Sequence, residues 1–267
     1  MSYERTSVEI STSRLKFAKR DETKWPWWRD LDLDGEQLYR IGSSCDTCDV
    51  ILGRFTNTKL PIAPPELGQQ LRQGLSFIPR PVIDTIATIL PEGEYIAALL
   101  NFQPKLVELD SQDKAESPRY LWENSQQVSM LINPQYKPSL FKRLRARLTS
   151  YELWPGLHYA FYEQLLPLVD KAYLNQETLD SYIQVISSGG KPTALAISLV
   201  DVRYPQARGF DWRLLHFLLD GHHKMMAASE LDQPITLLSF LNTTESFAPE
   251  KWIEKTRKAI YGVFSRG

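Results

Sequence analysis

Alternating apolar and polar runs organise the last third of the chain most clearly. Thr193–Val202 is an apolar run broken by single polar residues and reads as a strand ending at Arg203-Tyr204-Pro205. Residues 206–213 read as a loop. Leu214–Leu219 is a second strand, Lys224–Leu231 a short helix, and Ile235–Leu241 a third strand entered at Pro234. Upstream, Gln176–Ser187 has helical spacing, with Asn175 placed to cap its first turn and Gly189-Gly190 to end it. Trp252–Phe264 is expected to close the chain as a helix.

The pattern is less regular towards the N-terminus. Prolines 61, 64, 65, 79, 81 and 91 divide residues 36–110 into short runs. Arg80–Leu90 fits a helix that tolerates Pro81 in its first turn and carries Ile83, Ile86 and Leu90 on one face. Tyr95–Phe102 is a strand or a short helix. Residues 110–120 read as loop, and residues 156–173 as a helical stretch interrupted by Pro167. In 138–148, Leu140, Phe141, Leu144 and Leu148 recur at helical spacing between Lys142, Arg143, Arg145 and Arg147. That is either an amphipathic helix with a solvated basic face or a phosphate-contacting one. The expected fold class is α+β. It comprises an N-terminal arm (1–35), a less regular α/β region (36–165) and a small mixed-sheet module with a closing helix (166–267).

The chemistry concentrates at Asp220-Gly221-His222-His223-Lys224, between an apolar strand and a helix. Glycine permits positive φ and close approach of a ligand. The first helical amides have no intrahelical partner and sit at the positive end of the helix dipole, which suits an anion. His223 and Lys224 add donors, and His222 and Asp220 are the candidate acid/base groups. Alternatively, Asp220 caps the helix, one histidine packs inside and Lys224 lies in water. Arg203, with Asp201, ends a strand expected beside the motif strand and is a further candidate ligand-binding residue.

Leu218–Ala228, around Gly221-His222-His223-Lys224, resembles the signature turn of the ParB/sulfiredoxin-like superfamily, and the order of elements over about residues 170–241 agrees with it. The resemblance implies a module that binds nucleotide phosphates at this turn, with phosphoryl transfer or hydrolysis as the reaction class. Lys224 stands where arginine is usual, keeping the charge without the bidentate fork. His222 stands where sulfiredoxins carry cysteine, so their thiol chemistry is not implied. No helix-turn-helix follows the module, which argues against a DNA-binding role.

Cys45-Asp46-Thr47-Cys48 supplies two thiolates at zinc-ligand spacing, but four ligands are needed for a structural site. Structural thiols, a zinc site at Cys45 and Cys48, and a redox pair all remain open, with His158, His216, His222 and His223 the available imidazoles. Trp25, Trp27 and Trp28 either clamp the arm to the body or form a partner-binding patch. Composition narrows the alternatives. Among 267 residues the hydrophobic share is 43%, the charged share 24% and the net charge −1, so nucleic acid is not an expected partner of the molecule as a whole. No apolar run approaches the roughly 18 residues of a membrane span, and two cysteines suit a reducing cytoplasm. The expected partner is a nucleotide or phosphorylated small molecule. The alternative is a non-enzymatic interaction protein whose turn is only structural.

Overall fold

A computed structural model describes residues 3–8, 13–18, 29–42, 51–55, 63–108, 120–124, 158–203 and 209–246. In chain order its strands are β1 (Tyr3–Val8), β2 (Leu15–Ala18), β3 (Arg29–Leu33), β4 (Glu36–Gly42), β5 (Ile51–Arg54), β6 (Gly93–Phe102), β7 (Pro104–Glu108), β8 (Tyr120–Asn124), β9 (His158–Pro167), β10 (Thr193–Arg203), β11 (Gly209–Asp220) and β12 (Ile235–Asn242). The helices are α1 (Pro65–Gln73), α2 (Arg80–Ala87), α3 (Gln176–Ser187) and α4 (His222–Glu230), with a 3-10 turn at Lys171–Tyr173. At this level the molecule is a mixed α/β protein, consistent with the α+β class.

Eight strands form one sheet in the order β1-β6-β12-β10-β11-β9-β8-β7, and β2-β3-β4-β5 form a second. In the large sheet β12 runs parallel to β10 and β9 parallel to β11, while the other neighbours are antiparallel. One face contributes Leu195, Ile197, Leu215, Phe217 and Phe240 to a core shared with Leu31, Tyr39 and Ile41 of the second sheet and with α1 and α2. The other face presents Ala194, Ala196, Leu218 and Leu237 to α3 and α4, which pack through Leu179, Ile186, Met225, Met226, Ala227 and Ala228. Small residues on both sides let α4 lie close to the sheet. Each large apolar side chain buried this way stabilises the fold by about 1.5–3 kcal/mol.

Local chemistry explains α3 better than α4. Asn175 Oδ1 accepts the Thr178 amide at 2.9 Å, capping α3 as its sequence predicts. The N-cap position of α4 is Gly221, which offers no side-chain cap, so tertiary burial of its apolar residues holds this short helix.

Several sequence expectations change. Residues 158–167 form a strand, because β9 is hydrogen-bonded to β11 on one side and β8 on the other and is apolar towards both faces around Leu165 and Leu166. The loop expected at 206–213 is strand from Gly209 onward, since backbone pairing with β10 continues past the apolar run. Tyr95–Phe102 resolves as strand. The boundary expected at 165/166 falls inside β9, and the large sheet takes strands from both sides of it. Likewise β1, β2 and β3 join the sheets although they fall within residues 1–35. The tryptophan cluster, the basic 138–148 segment and the Trp252–Phe264 helix lie outside the described residues. No helix among those described is long and apolar enough to cross a membrane.

Candidate functional site

Two neighbouring parallel strands, β9 and β11, end together where Pro167 pairs with Leu218. From there the chain continues as Leu168-Val169-Asp170 and as Asp220-Gly221-His222. Gly221 turns it at φ 101° and ψ 24°, in the left-handed region. A Cβ there would come within 2.8 Å of the Ala194 Cβ, so both the conformation and the space call for glycine. The first helical ladder bond of α4 is the Met225 amide to the Gly221 carbonyl at 2.8 Å, which leaves the amides of residues 222–224 ahead of the ladder.

The side chains at this turn are drawn inward. His222 is only 7% exposed, and its Nε2 accepts the amides of Leu168 and Val169 at 3.1 and 3.2 Å. Burial, with the positive fields of His223, Arg54 and Lys224, pushes its pKa down to about 3. The ring is therefore a neutral acceptor that ties the end of β9 to the start of α4. A ring that stays neutral near neutral pH, with its Nε2 lone pair engaged by two backbone amides, does not suit the acid/base role expected of His222. The Nε2 of half-buried His223 accepts the Asn175 amide at 2.9 Å, and burial lowers its pKa against the opposing pull of Asp220.

Lys224 is 3% exposed and does not lie in water. Its Nζ donates to Asp220 Oδ2 at 2.5 Å and to the Thr193 carbonyl at 3.0 Å. Asp220 is thus the ion-pair partner of Lys224 and does not occupy the cap position. The Lys224 ammonium also lies 5.9 Å from the ring centroid of Tyr182, over which the Arg72 guanidinium stands at 5.3 Å.

A second cation reaches this region from the other sheet. The Nη2 of Arg54 donates to the Leu168 carbonyl at 3.3 Å, in the same peptide unit as the Val169 amide held by His222. Its Nη1 is 4.0 Å from Asp170 Oδ2, and the nearby Tyr39 hydroxyl donates to the Pro167 carbonyl at 2.7 Å. Arg54 was not legible in the sequence, where it is one arginine in a short strand.

Arg203 does not join this constellation. Because β10 and β11 are antiparallel, Leu195 faces Asp220 whereas Arg203 faces Asp211, nine residues earlier on β11. That separation is about 30 Å along a strand. Asp201 is buried and paired in register with Arg213. Cys45 and Cys48 lie outside the described residues. Among those described, no group of three or more His, Cys, Asp or Glu could hold a metal ion.

The large sheet also contains a polar row that sequence reasoning did not assemble. Ser239 Oγ is 2.8 Å from Ser198 Oγ, which is 2.6 Å from His216 Nδ1, and His216 Nε2 is 3.1 Å from Glu163 Oε1. These residues lie on β12, β10, β11 and β9, four successive strands of the sheet, and all are buried. The available signal was a single polar residue inside each of three apolar runs, Ala196–Val200, Leu214–Leu219 and Leu237–Leu241. Complete burial makes the row a structural network.

The chain matches no family model, no curated protein and no solved structure. Function must therefore be argued from the turn between β11 and α4 itself.

Proposed function

We propose that the Asp220–Lys224 turn binds the phosphate of a nucleotide or another phosphorylated small molecule, within a C-terminal unit of the ParB/sulfiredoxin-like kind. The observation that carries this reading is left-handed Gly221 between the end of β11 and the leading amides of α4. Those amides and the positive end of the helix dipole favour an oxyanion. The site lies at the carboxyl ends of two parallel strands, where ligands dock in open α/β sheets. The succession α3, β10, β11, α4, β12 also supports the reading, because it is the order the resemblance implies.

The turn binds without an assigned reaction, since His222 stays neutral and its Nε2 is engaged by backbone amides. A phosphate approaching Lys224 competes with the Asp220 carboxylate already holding it. Asp220→Asn preserves the side chain's shape while removing that competing charge, so it is expected to tighten phosphate binding. A thermal-shift screen of nucleotides and phosphorylated sugars tests this, because a ligand specific for the native state raises the melting temperature by mass action. The reading fails if no compound shifts either the wild type or Asp220→Asn.

One observation favours the alternative of a non-enzymatic interaction protein with a purely structural turn. His222, His223 and Lys224 all have protein partners. A completely silent screen would select that alternative.

A further inference from the structure

We propose that Arg54, brought to the turn by β5, is the cation that takes a phosphoryl oxygen of the ligand. This rests on the phosphate reading of the turn and assigns its charged partner to an element outside the β11–α4 motif.

Lys224 and Arg54 both approach this region, and their commitments differ. Lys224 is occupied by Asp220 at 2.5 Å and by the Thr193 carbonyl. Arg54 is 7% exposed, yet its Nε and Nη1 have no hydrogen-bond partner among the described residues. Its one hydrogen bond among the described residues, from Nη2 to the Leu168 carbonyl, is long at 3.3 Å. The nearest carboxylate forms only a long ion pair with it and no hydrogen bond. Asp170 Oδ1 accepts the Ala172 amide at 3.1 Å at the start of the 3-10 turn, leaving Oδ2 at 4.0 Å from Nη1.

A buried guanidinium with unmade donors is costly unless something supplies acceptors, and guanidinium–phosphate contacts are among the stronger charge-assisted hydrogen bonds. The position also fits. Arg54 grips Leu168, whose amide is held by His222 at the first position of α4, so the guanidinium lies beside the helix start. Its field on the His222 ring reflects the same proximity. Arg54 can therefore supply the arginine chemistry that Lys224 lacks, from a different strand and a different sheet.

The test uses the full-length, nitrogen-15-labelled protein and inorganic phosphate. The Arg54 Nε–H resonance is identified by its absence from the spectrum of Arg54→Lys. Phosphate should shift that resonance saturably, and calorimetry should show Arg54→Lys binding phosphate about ten-fold more weakly. Asp170→Asn, which removes the adjacent competing carboxylate, should bind it more tightly. If the wild type binds phosphate while the Arg54 resonance stays still and Arg54→Lys keeps the same Kd, the Arg54 assignment is overturned and the turn reading stands. If the wild type binds no phosphate, both fall.

Discussion

Gly221 is under two constraints that act together. Its φ of 101° disfavours any side chain, and a Cβ there would lie only 2.8 Å from the Ala194 Cβ. Gly221→Ala should therefore cost about 1–3 kcal/mol, combining left-handed strain with overpacking. Urea denaturation would measure it, and an unchanged midpoint would show that the turn can relax. His222 makes a separate, pH-dependent prediction. Its folded pKa of about 3 lies below the ordinary 6.5, so the unfolded chain takes up a proton between those values that the native ring refuses. The contribution of neutral His222 is complete above pH 6.5 and is lost as pH falls towards about 3. The slope is up to about 1.4 kcal/mol per pH unit. His222→Gln keeps an acceptor oxygen without a titrating ring, so its stability should depend on pH in that window by about one proton less. Both residues were legible as special because glycine and paired histidines stand out after an apolar strand. Their inward orientation was not, since it depends on Leu168, Val169 and Ala194 arriving from elsewhere in the chain.

Legibility varied with how local each element's causes are. Asn175 and Gly189 bracket α3 with cap chemistry written into adjacent residues, and the helix has the expected bounds. Asn175→Ala should accordingly cost about 0.5–2 kcal/mol, read from the denaturation midpoint. A loss confined to the neighbourhood of the His223 ring, with α3 amide protection unchanged, would contradict the capping role. β9 was misread for the opposite reason. A strand flanked on both sides and buried on both faces loses the polar–apolar alternation that marks a half-exposed strand, so Leu165, Leu166 and Leu168 mimic helical spacing. β11 exceeded its expected start because backbone pairing does not require apolar residues, and Asp211 and Arg213 extend the ladder. Strand adjacency alone points Arg203 at the turn. Strand direction, invisible in a single sequence, moved it to the far end.

Across the whole molecule, the two parallel pairs bring residues from four strands into one buried polar row. His216 joins Glu163 through Nε2 and Ser198 through Nδ1, and the Ser198 hydroxyl in turn meets that of Ser239, so the tautomer of the one ring is coupled to the orientation of both hydroxyls. Each member thereby sets its neighbour's direction. Such a row favours one strand register, because slipping β11 by one residue would turn His216 to the opposite face. Removing one member should cost more than its own hydrogen bond, since the partner is left buried and unmet, at about 1–3 kcal/mol. Ser198→Ala and His216→Leu should each destabilise the fold, whereas the double variant should cost less than the sum by about 0.5–3 kcal/mol. A denaturation-based double-mutant cycle measures this coupling directly. Strict additivity would mean that the two side chains act independently and that the shared apolar core, without help from the polar row, holds β10 and β11 in register.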